Sequence, residues 1–149
     1  MTERPGELEL ALRESFAASP AALYRLMTDP GQLVRWWGPQ GFSTSVSQFD
    51  PVVAGTFRLT MQPPDGEAFH LSGEFLEIDP AHRLSFTFRW DEPVPDDRET
   101  VVALSLARRD DGTELSLWQG TFATADRLEL HADGWAESLE RLGAAAGGA

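Results

Sequence analysis

In RLSFTFRW, residues 83 to 90, Leu84, Phe86, Phe88 and Trp90 alternate with Ser85, Thr87 and Arg89. Successive strand residues point to opposite faces, so the segment predicts a strand with one apolar and one polar side. The same period of two recurs along the chain. ELELALRESF (7–16) sets Leu8, Leu10, Leu12 and Phe16 against Glu7, Glu9, Ala11, Arg13 and Ser15. FSTSVSQFD leads to a turn at Pro51, and Gly55 opens TFRLTM with Phe57, Leu59 and Met61 in phase. EAFHLSGEFLEI places Phe69, Leu71, Gly73 and Phe75 opposite His70, Ser72 and Glu74. TVVALSLAR and TELSLWQGTF complete the set, joined by a hairpin turn at DDG (110–112). PPDG at 63–66, Asp79-Pro80 and the acidic loop DEPVPDD at 91–97 separate the other strands.

Two regions break this period. Ser19-Pro20 reads as an N-cap and first helical residue before AALYRLM, and Asp29-Pro30 repeats the device. Gln32, three residues after Asp29, completes the pattern of a capping box. The second helix is expected to run about two turns and to stop at Gly38-Pro39, with Leu33, Trp36 and Trp37 at i, i+3 and i+4. At the far end Thr124 is the expected N-cap of a long helix. Leu128, His131, Ala132, Trp135, Leu139 and Leu142 repeat there at helical spacing. Gly143 is read as its end, so residues 7–143 form the ordered core and 144–149 a flexible tail.

The order of elements is strand, two short helices, about six antiparallel strands, and one long helix. It predicts a single α+β domain spanning 1–149: a curved antiparallel sheet of six to seven strands wrapped around the C-terminal helix. A one-sided sheet needs a cover, and only that helix is long enough. The strands twist while the helix is straight, which leaves a gap at one end. The short helices are placed to plug it. Trp36 and Trp37 then form the plug, one ring packing on sheet and helix and the other facing the opening.

The chain has 149 residues and a net charge of −12 spread along its length. That field repels phosphate backbones and anionic lipid, so neither nucleic acid nor a membrane surface is an expected partner. There is no cysteine, no signal-peptide core and no apolar run of membrane-spanning length, which makes the cytoplasm the expected location. All 12 basic residues are arginine, lysine and asparagine are absent, and isoleucine occurs once. This bias fits a GC-rich bacterial origin.

TDPGQLVRWWGPQGF, the FDPVVAG turn, SGEFLEIDPAHRL, SFTFRW, GTELSL and HADGWAESLERL resemble the activator-of-heat-shock-ATPase homologue (AHSA-type) family. That family belongs to the START-like, helix-grip (SRPBCC) superfamily, which also includes plant allergens and polyketide cyclases. The resemblance covers residues 8 to 142, and Trp36–Pro39 and Gly134-Trp135 with Leu139 and Leu142 carry it most specifically. It implies the helix-grip fold. Similar sequences carry an arginine and a double glycine at 51–55, where PVVAG keeps only Gly55. The family name comes from one domain of a larger eukaryotic co-chaperone, and 149 residues leave no room for its other domain. Many bacterial members are stand-alone cavity proteins.

Candidate chemistry is sparse. His70 is out of phase with the apolar face and His82 lies in a turn, whereas His131 is on the helix face that meets the sheet. It is placed to shuttle a proton or hold a ligand, although a helix histidine bonded to a strand carbonyl or exposed at an edge is the favoured reading. Glu14 falls on the apolar phase of the first strand, which predicts a wet rim position or a buried acid. No metal-ligand spacing, G-x-S-x-G motif or glycine-rich phosphate loop occurs, so no metal, cofactor or catalytic residue is assigned. What remains is an aromatic cavity. Its expected lining is Trp36, Trp37, Phe57, Met61, Phe75, Phe86, Phe88, Trp90, Leu104, Gln119, His131 and Trp135, which fits a mostly apolar site with a few polar groups. Leu59 and Leu106 share the same inward phase. Gln119 follows Leu115 and Leu117 in phase, so its amide points inward and needs His131, water or a ligand as partner.

The expected function is binding of a small hydrophobic or aromatic molecule, with Gln119 and His131 orienting it. The alternatives are a cyclase or hydratase in which His131 or Glu14 moves a proton, and a co-chaperone-like interaction module. Without a paired acid and base, binding without catalysis is favoured. A homodimer and a chaperone partner are left open.

Overall fold

Seven alternating segments become seven strands in the computed structural model, which describes residues 8–91 and 98–147. The strands are β1 (Leu10–Phe16), β2 (Ser43–Phe49), β3 (Thr56–Gln62), β4 (Phe69–Asp79), β5 (Arg83–Trp90), β6 (Thr100–Arg109) and β7 (Gly112–Gly120). They form one antiparallel sheet in the order β1-β7-β6-β5-β4-β3-β2, so the first two strands in sequence are its two edges. The helices α1 (Pro20–Thr28) and α2 (Pro30–Leu33) bridge those edges, and α3 (Ala125–Gly147) fills the concave face. The acidic loop expected at 91–97 falls, apart from Asp91, outside the described residues.

The apolar phases of the central strands form the core. Leu84, Phe86 and Phe88 of β5 are buried, as are Val102, Leu104 and Leu106 of β6 and Leu115 and Leu117 of β7. Register shifts between Val46 and Gln48 in β2 and between Phe75 and Glu77 in β4 mark irregularities that bend the sheet around the helix. At Gly73 in β4 there is no room for a side chain. A Cβ there would land on the Thr87 carbonyl and in the Phe57 ring, so only glycine lets that ring lie across the strand.

The caps form much as their spacing predicts. Ser19 Oγ accepts from Ala22 N–H at 3.1 Å, Asp29 Oδ1 accepts from Gly31 N–H at 2.9 Å, and Thr124 Oγ1 accepts from Arg127 N–H at 3.2 Å. The capping box at Asp29 does not close. Asp29 N–H donates to Arg25 O, and Gln32 Oε1 takes Arg35 instead. The second helix is also shorter than two turns. After Leu33 the chain tightens through Arg35–Gln32 and Trp36–Leu33 bonds of i to i−3 type into the Gly38 turn (φ 107°).

The C-terminal helix corrects the sequence expectation in the other direction. It passes Gly143 and runs to Gly147, so most of the expected tail is helical. A Cβ on Gly143 would lie in ordinary contact, 3.5 Å, with the Phe16 ring, Ala145 is buried, and Arg35 Nη2 donates to Ala145 O at 3.4 Å. Three alanines in a row have the best intrinsic helix propensity, and tertiary contact outweighs one glycine. The departure at 51–55 is also resolved. Ala54 adopts φ 71°, the left-handed conformation that a double glycine would supply, and a Cβ on Gly55 would strike Asp50 O. Among the described residues no helix is long and apolar enough to cross a membrane.

Candidate functional site

The two adjacent tryptophans part company. Trp36 is 1% exposed, and its Nε1–H donates 2.7 Å to Leu26 O, one of the carbonyls that the end of α1 leaves unpaired. Its ring helps line a small apolar void of about 20 Å³ with Phe57, Phe75, Phe86 and Leu104. A space that small and without polar partners is ordinary core. Trp37 turns the other way. It stacks edge-on to Trp135 at 5.2 Å and stands between this void and a second cavity of about 400 Å³.

That larger cavity lies where β3 ends, β4 begins and β5 ends. Met61 pairs with Phe69 and Leu71 with Trp90 in the sheet register, which brings Met61, Phe69 and Trp90 to one margin. Phe88 lies one inward position back along β5. Opposite them α3 contributes Arg127, Leu130, His131, Gly134, Trp135 and Ser138, a stripe at i, i+3, i+4, i+7, i+8 and i+11. Trp37, Gly38, Pro39 and Phe42 close one end. Phe69 is 46% exposed and Leu130 56%, so the cavity reaches solvent through an apolar mouth.

The end wall is stapled to α3. Gly38 N–H donates to Ser138 Oγ at 3.1 Å, Gln40 N–H to Glu137 Oε1 at 2.8 Å, and Arg141 Nη1 to Gly38 O at 2.9 Å and Pro39 O at 3.1 Å. Thr44 Oγ1 donates to Trp37 O at 2.8 Å from the sheet side. These bonds satisfy a non-repetitive segment whose carbonyls would otherwise lack partners. They also hold Trp37 in place as a wall.

His131 uses both ring nitrogens within the protein. Nδ1 lies 2.8 Å from Arg127 O and Nε2 lies 3.1 Å from Trp90 Nε1. A carbonyl can only accept and an indole N–H can only donate, which assigns the neutral Nδ1–H tautomer. The carbonyl is therefore one from its own helix rather than from a strand. Phe88 and Phe122 rings pack on the imidazole at 5.5 and 5.0 Å. Arg127 is the one charged residue in the cavity lining.

Residues 17–147 match the model of the family described as activator of Hsp90 ATPase homolog 1-like protein, AHSA1. The chain belongs to the AHSA1 family. A crystal structure of a protein from Chromobacterium violaceum is similar at 28% identity and TM-score 0.87, over 93% of this chain and 96% of that one. The crystal structure of the AHSA1 protein from Silicibacter pomeroyi is 27% identical, with TM-score 0.78, over 91% and 95%. A solution structure of a protein from Arthrobacter aurescens, 22% identical over 99% and 91% with TM-score 0.86, shares the fold. No curated protein matches the chain.

Six of the twelve expected site residues meet at the open cavity of this AHSA1 domain: Trp37, Met61, Phe88, Trp90, His131 and Trp135. Trp36, Phe57, Phe75, Phe86 and Leu104 line only the smaller void. Gln119 lines neither. It is wholly buried; its Nε2 donates to Thr100 Oγ1 at 2.8 Å and its Oε1 accepts from Trp135 Nε1 at 2.7 Å. The amide is thus a brace behind Trp135, and its partner is that indole rather than His131. Glu14 is exposed on β1 opposite Leu115, away from the cavity lining. The lining residues that sequence reasoning misses are Gly38, Pro39, Phe42, Phe69, Arg127, Leu130, Gly134 and Ser138. The helical stripe from Arg127 to Ser138 is a usable signal for half of them. Among the described residues no group of three or more histidines, cysteines and carboxylates is placed to hold a metal ion.

Proposed function

We propose that this AHSA1 domain binds a small hydrophobic or aromatic molecule in the cavity between α3 and the ends of β3, β4 and β5. The observation that carries this reading is an open space of about 400 Å³ walled by Trp37, Phe88, Trp90 and Trp135 and entered past Phe69 and Leu130. Ligand sites are typically of this size and lining, with few polar groups. Arg127 and Ser138 supply those groups, whereas the nitrogens of His131 are already taken up within the protein. A proton-transfer role is not favoured, because both nitrogens of His131 are engaged and Glu14 lies outside the lining.

Three of the five tryptophans line the cavity, so intrinsic fluorescence reports its occupancy. Titration with a panel of bicyclic aromatics and medium-chain lipids is expected to give a saturable change for at least one aromatic compound. A flat response across the panel would move the function to the surface and favour a protein partner.

A further inference from the structure

We propose that the ligand carries a hydrogen-bond acceptor, a carbonyl or ether oxygen, at its leading end, and that Ser138 Oγ–H donates to it. This rests on the cavity reading above and specifies the chemistry of the occupant.

Ser138 is 4% exposed and forms part of the cavity wall on α3. Its oxygen already accepts the Gly38 N–H at 3.1 Å. Serine has one O–H donor besides its lone pairs, and among the described residues nothing accepts that proton. Of the three tryptophans that line the cavity, Trp135 commits its Nε1–H to Gln119 and Trp90 to His131, while Trp37 stands in the end wall. A buried donor without an acceptor is costly, and in an aromatic slot only water or the ligand can take it. Eight residues separate Ser138 from Leu130 at the mouth, about 12 Å along the helix at 1.5 Å per residue. A molecule entering past Leu130 and Phe69 therefore lays its apolar body along His131, Gly134 and Trp135 before its tip reaches Ser138. A bare hydrocarbon of the same shape displaces the water and leaves the hydroxyl unsatisfied. The site thus selects aromatic ketones, aldehydes or ethers over their hydrocarbon isosteres.

The test uses the matched pair 2-acetylnaphthalene and 2-isopropenylnaphthalene, titrated against the wild-type protein and Ser138→Ala by tryptophan fluorescence. Wild type is expected to favour the ketone roughly tenfold, the effect of one satisfied against one unsatisfied hydrogen bond. Ser138→Ala leaves the bound ketone oxygen desolvated without a donor, so its ketone preference is expected to fall by roughly tenfold or more, to parity or in favour of the hydrocarbon. The ratio is the readout because losing the Gly38 bond weakens both ligands together. Should that variant not fold, the carbonyl stretch of the ketone bound to wild type decides: a shift below its value in hydrocarbon solvent supports the bond. If neither compound binds wild type while another aromatic of the panel does, the acceptor specificity is overturned and the cavity reading stands; if nothing in the panel binds, both fall. If both bind wild type equally, with an unshifted carbonyl, the cavity reading stands and the acceptor specificity is overturned. A preference that survives in Ser138→Ala overturns it as well.

Discussion

Replacing Gly134 by alanine and then by leucine separates stability from occupancy at the cavity. Gly134 sits inside α3, in the cavity wall, and a Cβ built there meets only Pro39 Cγ, at an ordinary 3.9 Å. A glycine in a helix interior costs about 1 kcal/mol relative to alanine, through backbone entropy. Nothing in the structure opposes recovering it. Gly134→Ala should therefore stabilise the protein by about 1 kcal/mol, which raises Tm by roughly 2–4 °C in a domain of this size. Gly134→Leu sends three further carbons into the space between Trp135 and the sheet margin. Each buried methylene contributes about 0.8 kcal/mol, against about 0.5–1 kcal/mol of rotamer entropy for the side chain. The leucine variant should be at least as stable as wild type and should lose aromatic-ligand affinity more than roughly tenfold, the equivalent of about 1.4 kcal/mol. Urea unfolding followed by far-UV circular dichroism gives the stabilities, and fluorescence titration gives Kd. Destabilisation of Gly134→Ala beyond about 0.5 kcal/mol, outside the range expected where nothing is disturbed, would show that the space is not there. Unchanged Kd in Gly134→Leu would put the ligand elsewhere.

Gln119→Leu strands the Trp135 indole N–H and removes the donor to Thr100; it should cost about 1–3 kcal/mol. Combining it with Trp135→Phe should cost less than the two single changes added together, by about 1–2 kcal/mol; additivity within about 0.5 kcal/mol would refute the brace. Burial pushes the Asp91 carboxyl up, but hydrogen bonds from Ser72 and Arg58 and the charges of Arg58 and Arg89 outweigh it and hold the group below the usual aspartate range. A depressed native value adds stability above the unfolded value of about 3.9 that is lost as pH falls through the native one. Arg58→Met should raise the Asp91 midpoint in a carboxyl ¹³C titration and flatten that acid-side loss; an unmoved midpoint would contradict it. Ala54→Gly removes a left-handed alanine and should stabilise the protein by up to about 1 kcal/mol in the same urea assay, whereas destabilisation would mean that φ 71° is not strained.

Much of this architecture is legible in the sequence because one short-range signal governs each part. The alternation in RLSFTFRW sets the inward face of β5, and Ser19-Pro20 and Asp29-Pro30 set where helices begin. The site is legible only in part, since periodicity reports the face of a residue and not its height along the axis of α3. Phe57, Phe86 and Phe88 share one phase, yet the first two close the core and the third meets the cavity. Gln119 shows the same limit. Its inward phase is visible, but its partners depend on how β6 and α3 dock. Gly134 and Ser138 escape sequence reasoning because small and polar residues on a helix look like its wet face. Here they border a space that no side chain fills. The run Ala144–Ala146 misleads in the opposite way, as its helix is secured by contacts with Arg35 and the core rather than by a local stop signal.

The cavity claim is tested most directly by the indole region of the ¹H–¹⁵N NMR spectrum, with and without saturating 2-acetylnaphthalene. Trp37, Trp90 and Trp135 line the cavity, while Trp118 lies on the outer phase of β7 and bonds Glu9 at 3.1 Å. The indole signals of Trp37, Trp90 and Trp135 should shift together along one binding isotherm while Trp118 stays in place. Shifts confined to Trp118, or a spectrum unchanged at saturation, would contradict a ligand between α3 and the sheet.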